Sequence, residues 1–126
     1  MGRHVLAIVD DMFFASKIRA TAEALGVAIS FPRSEELLLQ KAREVTPDLI
    51  LLDLHHQRFD PLEAASSLKR DPELKEVPLL AFFSHVQTEL QRSAVAAGVD
   101  QVVPRSVFAR DLPRILSGDM EDTTGL

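Results

Sequence analysis

The chain has 126 residues, no cysteine, and a net charge of -5 from 19 acids against 14 lysines and arginines. These numbers exclude a disulfide frame and a thiolate metal site. They also argue against non-specific nucleic-acid binding, which depends on cations neutralising phosphates.

Apolar residues at 46% and charged residues at 26% are ordinary for one soluble domain with its own core. No run reaches the roughly 18 apolar residues of a membrane span. MGRHVLAIVDD at the N-terminus meets acids too early for a secretory signal. The expectation is a cytoplasmic protein, with neither membrane nor nucleic acid as a partner.

HVLAIV (4–9) is a short apolar run that ends on Asp10 and Asp11. Phe14, Ile18, Ala22 and Leu25 then recur at helical spacing, and Gly26 follows as a stop. VAISF (27–31) is strand-like and closed by Pro32. Ser34 is placed as an N-cap, with Glu35 and Glu36 in a first turn where the helix dipole favours acids. That helix should run to about Val45, before Thr46 and Pro47.

DLILLD (48–53) contains no polar residue inside it, as expected of a strand covered on both faces. Asp60-Pro61-Leu62-Glu63 reads as a helix start, with aspartate as N-cap, proline at the first position and glutamate placed for a capping box. The helix should end near Arg70. PLLAFF (78–83) is a second fully apolar strand. Leu90, Ala94 and Ala97 mark the buried side of the next helix, which Gly98 ends. DQVV (100–103) gives a brief fifth strand. Leu112, Ile115 and Leu116 face inward from a last helix, and Pro113 fits only its first turn, so the regular part should begin near Asp111. Residues 118–126 are polar and aperiodic, as in a frayed tail.

Five strands alternating with five helices predict an α/β fold: a single five-stranded parallel sheet with helices on both faces, in (βα)5 order. Ligands of such sheets bind beyond the carboxyl ends of the strands, where the strand order reverses. The first strand ends on Asp10-Asp11, the third on Asp53, the fourth on Phe83-Ser84, and the fifth runs into Pro104-Arg105. If the first and third strands are neighbours, three carboxylates meet. Like charges roughly 4 Å apart repel by about 4 kcal/mol at an effective dielectric of ~20. The cluster must bind protons, pair with a cation or take up a hard metal ion, and its oxygen donors suit Mg2+. Arg105 could offset the remaining charge. The plainer alternative makes Asp10 only an N-cap, which leaves Asp11 and Asp53 unexplained.

VDD after the first strand, PDLILLD ending the third, VPLL in the fourth and AAGVD before the fifth together resemble a response-regulator receiver domain of the CheY-like superfamily. The resemblance covers about residues 4–117 and defines a receiver domain over 1–117. It implies phosphoryl transfer from a histidine kinase or phosphotransfer protein to Asp53, assisted by Mg2+. It further implies that Asp11, Asp53 and the backbone carbonyl of His55 contact the metal, with Asp10 acting mainly through water. A stand-alone receiver of this kind is not a turnover enzyme. It would pass its signal to a downstream protein through the last helix-strand-helix face, and a homodimer is compatible with that reading.

The chain also departs from the family pattern, so the resemblance is to an atypical member. Phe83 stands where the family carries a hydroxyl, and Ser84 could replace it only through a one-residue shift or bulge. Arg105 stands at the lysine position, with a planar fork in place of a point charge. Ser106 follows instead of a proline, so a trans peptide is expected. Val102 lacks the ring of the family's switch aromatic. Pro61 stands where glycine is common and stiffens the helix start.

His55 and His85 fall two residues after the acceptor and hydroxyl positions, where they could orient water or contact phosphate; the plainer reading is a pair of rim histidines. A Zn2+ site from His55, His56, His85 and an acid needs convergence that adjacent histidines disfavour. Asp53-Leu54-His55 matches only a fragment of a cobalamin-binding motif, and the adjacent acids after the first strand do not match the D-x-D of haloacid-dehalogenase-like phosphatases. Phe83 and Val102 motivate an alternative function, a pseudo-receiver that docks a partner whatever the state of Asp53.

Overall fold

The computed structural model describes residues 2–84 and 88–118. Eleven elements follow one another: β1 (His4–Ile8), α1 (Met12–Leu25), β2 (Ala28–Ser30), α2 (Glu35–Val45), β3 (Leu49–Asp53), α3 (Pro61–Arg70), β4 (Leu79–Phe83), α4 (Thr88–Ala96), β5 (Gln101–Pro104), α5 (Arg105–Arg110) and α6 (Leu112–Ser117). The five strands form one parallel sheet in the order β2-β1-β3-β4-β5. The order reverses between β1 and β3, as the ligand-crevice argument requires.

Burial explains the apolar runs. Every residue of β3 and of β4 is buried, because helices cover both faces. Leu38, Ala42, Ala64, Leu68 and Ala94 bring α2, α3 and α4 onto one face. Phe14, Ile18, Phe108, Leu112 and Ile115 bring α1, α5 and α6 onto the other. Alternation along each strand divides the two cores: Leu49, Leu51 and Phe82 pack with the second set, and Ile50, Leu52 and Phe83 with the first.

Most helix signals act as expected. Ser34 Oγ accepts the Leu37 N–H at 3.1 Å. Asp60 Oδ1 accepts the Leu62 and Glu63 N–H groups at 3.2 and 3.1 Å, with Pro61 in the first turn. Gly98 adopts φ +103° under the stem of Lys69, where an added Cβ would lie 2.5 Å from Lys69 Cγ. There is no cis peptide among the described residues, consistent with the expectation at Arg105-Ser106.

Three details differ. The cap of α1 is Asp11 and not Asp10: Asp11 Oδ1 accepts the Phe13 and Phe14 N–H groups at 2.9 and 3.1 Å. Leu25, expected on the inner face, is 42% exposed. The described residues include a sixth helix: residues 105–110 form α5, separated from α6 by Asp111 alone. Val107, Phe108 and Ala109 are contiguous rather than periodic, so their pattern carries no helical signature; Phe108 is fully buried by docking on the sheet. His85 and residues 119–126, including nearly all of the expected tail, lie outside the described residues.

Candidate functional site

The corner at the carboxyl ends of β1, β3 and β5 gathers the acids and Arg105. Ile8 is opposite Leu52 in the β1–β3 register, so the residues that follow Ile8 emerge beside Asp53. Asp53 is 6% exposed. Its Oδ1 accepts the His55 N–H at 2.9 Å, which folds the loop after β3 back over the strand end. Asp10 Oδ2 accepts the Gln57 N–H at 3.3 Å and so ties the first loop to the same segment.

Arg105 is the first residue of α5 and reaches back across the sheet end. Its Nη2 donates to Asp11 Oδ2 at 2.9 Å, and its Cζ lies 4.2 Å from the centre of the Phe14 ring. Phe14 is in turn held edge-on to Phe82 and Phe108, with centroids at 5.3 and 5.5 Å, and those two rings stack at 4.5 Å. The guanidinium is therefore seated on a rigid aromatic base by an ion pair and a cation–π contact. The expectation that Arg105 offsets acid charge is met at Asp11.

The environments of two acids diverge. Burial pushes the Asp53 carboxyl above its ordinary range, opposed by the His55 N–H and by the charges of His55, His56 and Arg105. Asp11 is held below its ordinary range, first by the Arg105 hydrogen bond and then by the Phe14 N–H. Arg105 acts on both, which places it within electrostatic reach of the buried acid as well as of its bonded partner.

Donor chemistry decides whether a divalent ion suits this corner. Among the described residues no group of three or more His, Cys, Asp or Glu side chains is arranged to hold a metal. In Asp11 one oxygen takes two N–H donors and the other takes Arg105. Asp10 and Asp53 each keep one oxygen without a hydrogen-bond donor among the described residues. Carboxylate oxygens are hard donors of the kind that Mg2+ takes. Asp11 would share its Oδ2 between Arg105 and such an ion.

Phe83 and Val102 take regular places in the sheet. The β3–β4 ladder runs Leu52 to Ala81 and Asp53 to Phe82 without a slip, and Phe83 pairs regularly with Pro104. Phe83 is buried in the α2–α4 core, on the face opposite to Phe82, and Ser84 follows as an exposed residue. Val102 packs against the same core as Phe83. His56 is engaged in its own loop, its Nδ1 accepting the Arg58 N–H at 3.1 Å and its ring standing 5.4 Å from Phe59. His85, named with His55 as a rim histidine, lies outside the described residues. Sequence reasoning missed the Phe14–Arg105 contact, because Phe14 reads simply as a core position.

No family model matches the chain. A curated relative, response regulator protein VraR of Staphylococcus aureus (strain Mu3 / ATCC 700698), is 34% identical over 74 residues, which are 59% of this chain and 34% of that protein. The match thus spans about a third of the relative's length. Among solved structures, Vibrio cholerae chemotaxis protein CheY4 superposes with a TM-score of 0.81 at 18% identity, over 94% of this chain and 98% of that one. The receiver domain of sensor histidine kinase PA1611 from Pseudomonas aeruginosa, described with a magnesium ion coordinated in its active-site cleft, superposes with a TM-score of 0.79 at 19% identity, over 94% and 97% of the two chains. The fold is that of CheY-like receiver domains, and the sequence likeness is to a response regulator. No described helix is long and apolar enough to cross a membrane.

Proposed function

We propose that this chain is an atypical receiver unit of a two-component or phosphorelay system, accepting a phosphoryl group on Asp53 from a histidine kinase or phosphotransfer protein. The observation that carries the reading is the corner itself. A buried strand ends on a carboxylate with one oxygen free of hydrogen-bond donors among the described residues, and a firmly seated cation stands within electrostatic reach.

In the proposed step a carboxylate oxygen of Asp53 attacks phosphorus in line. The bond from phosphorus to the donor's imidazole nitrogen breaks, and that nitrogen keeps the electron pair and takes up a proton. The His55 N–H fixes the rotamer of Asp53 by holding Oδ1, which leaves the other oxygen to react. Arg105 lies close enough to stabilise charge on the moving group once it shifts between Asp11 and the phosphoryl oxygens. Mg2+, held by Asp11, Asp53 and the His55 carbonyl, with Asp10 acting mainly through water, would neutralise charge on the transferring oxygens. Ser84 is the nearest hydroxyl in the sequence to the end of β4 and would serve the phosphoryl group only after a local shift.

Such a unit acts as a signalling module in the cytoplasm and turns over no small molecule. Its downstream partner would bind the face formed by α4, β5 and α5, where Val95 is 63% exposed. The test is incubation with Mg2+ and a small phosphodonor, followed by intact-mass measurement. Wild type should gain one phosphoryl group and Asp53→Asn none; no gain in wild type, or equal gain in both, contradicts the proposal.

A second reading has its own support. Phe83 is buried facing the α2–α4 core, Val102 carries no ring, and Asp11 is already bonded to Arg105. These favour a pseudo-receiver whose partner binding ignores phosphorylation. It requires equal partner affinity for wild type and Asp53→Ala, and a roughly tenfold loss in the variant, about 1.4 kcal/mol, would eliminate it.

A further inference from the structure

A groove of about 410 Å3 opens next to the acid corner, lined from α1, from the connection between β2 and α2, and from the loop after β3. Arg19, Arg33 and Arg58 all line it, along with His56. Apart from Arg3, Lys17, Lys75 and Arg92, the cations elsewhere in this acidic chain are matched among the described residues: Lys41, Arg43, Lys69, Arg70, Arg105, Arg110 and Arg114 each pair with a carboxylate. None of the three groove arginines does so among the described residues. Like charges would not be concentrated on one concave surface for stability, since they repel.

The rest of the lining narrows the class of ligand. Phe31 and Pro32 form an apolar wall, and the Arg19 guanidinium stands 4.7 Å over the Phe31 ring, which holds that cation in place. Asp10 is the one carboxylate on the wall among the described residues; it would repel a phosphate beside it and accept a hydrogen bond from an amino or hydroxyl group. The volume suits a small molecule. We infer that this groove binds a mononucleotide-sized organic phosphate, its phosphate on the Arg33 and Arg58 side, its flat ring against Phe31 and Pro32, and its hydrogen-bond donors toward Asp10. Guanidinium forks match the oxygens of an oxyanion two at a time, which favours an oxyanion such as phosphate over a halide.

Asp53 does not line the groove, so in the absence of Mg2+, which would share Asp10, Asp53→Asn should bind as wild type does. The experiment is calorimetric titration of the whole chain with guanosine monophosphate and, separately, with inorganic phosphate. The nucleotide should bind and weaken as salt rises, and inorganic phosphate should bind roughly tenfold more weakly or worse. Arg33 and Arg58 are exposed, so the double variant Arg33→Ala/Arg58→Ala should keep the wild-type melting midpoint while losing roughly tenfold or more in affinity. Arg92→Ala, at an exposed arginine on α4, should change nothing. No nucleotide binding at millimolar concentration, inorganic phosphate binding as tightly as the nucleotide, or an equal loss in Arg92→Ala would each overturn the inference.

Discussion

Asp53 closes a strand whose five residues are all buried, and it is 6% exposed itself. A carboxylate in that position destabilises the folded chain once ionised. Its folded-state pKa is raised by burial, so between the ordinary carboxylate range and the raised value the folded protein holds a proton that the unfolded chain has lost. Stability attributable to this group therefore falls as pH rises through that window and stays lower above it. Asp53→Asn should raise stability at neutral pH by about 1 kcal/mol, with the gain shrinking as pH falls through the window, measured by urea denaturation at both extremes. An unchanged midpoint at neutral pH would contradict the desolvation argument. Asp11 behaves oppositely. Its lowered pKa contributes stability at neutral pH that is lost as pH falls through the folded-state value. At this scale the acids and Arg105 were legible in the sequence, because each directly follows an apolar run. The seating of Arg105 on Phe14 was not legible, since it depends on where α5 docks.

The helices show why local pattern was sufficient in some places and not in others. Ser34 and Asp60 announce α2 and α3 through side chains that bond their own backbone, a relation confined to four residues. Asp60→Ala should lower stability by about 1 kcal/mol through loss of the cap, readable as a shifted denaturation midpoint with an unchanged slope. The short helix α5 has no side-chain cap and no apolar periodicity. It exists because Phe108 packs on Phe82 at 4.5 Å and closes the core under Phe14. Phe108→Ala should therefore be among the more damaging substitutions, at about 3–5 kcal/mol. It should also loosen Arg105 from Asp11, seen as a rise in the Asp11 carboxyl pKa by NMR titration. A small stability loss would mean that α5 is not held by this ring.

At the scale of the molecule, the strand order β2-β1-β3-β4-β5 converts two acid motifs some forty residues apart into one corner. The alternation of apolar runs and helical segments made this architecture legible, because a parallel sheet with right-handed crossovers admits few arrangements. The state of the corner was less so: the sequence shows three acids near one cation, and only the fold shows that Asp11 alone bonds it. On the proposed function, Asp53 accepts the phosphoryl group and its neighbours Asp10 and Asp11 do not. Peptide-level mass mapping of the chain after reaction with Mg2+ and a small phosphodonor tests it most directly. The modification should fall on Asp53 and vanish in Asp53→Asn; a phosphoryl group mapped to another residue, or none on any peptide, would contradict the account.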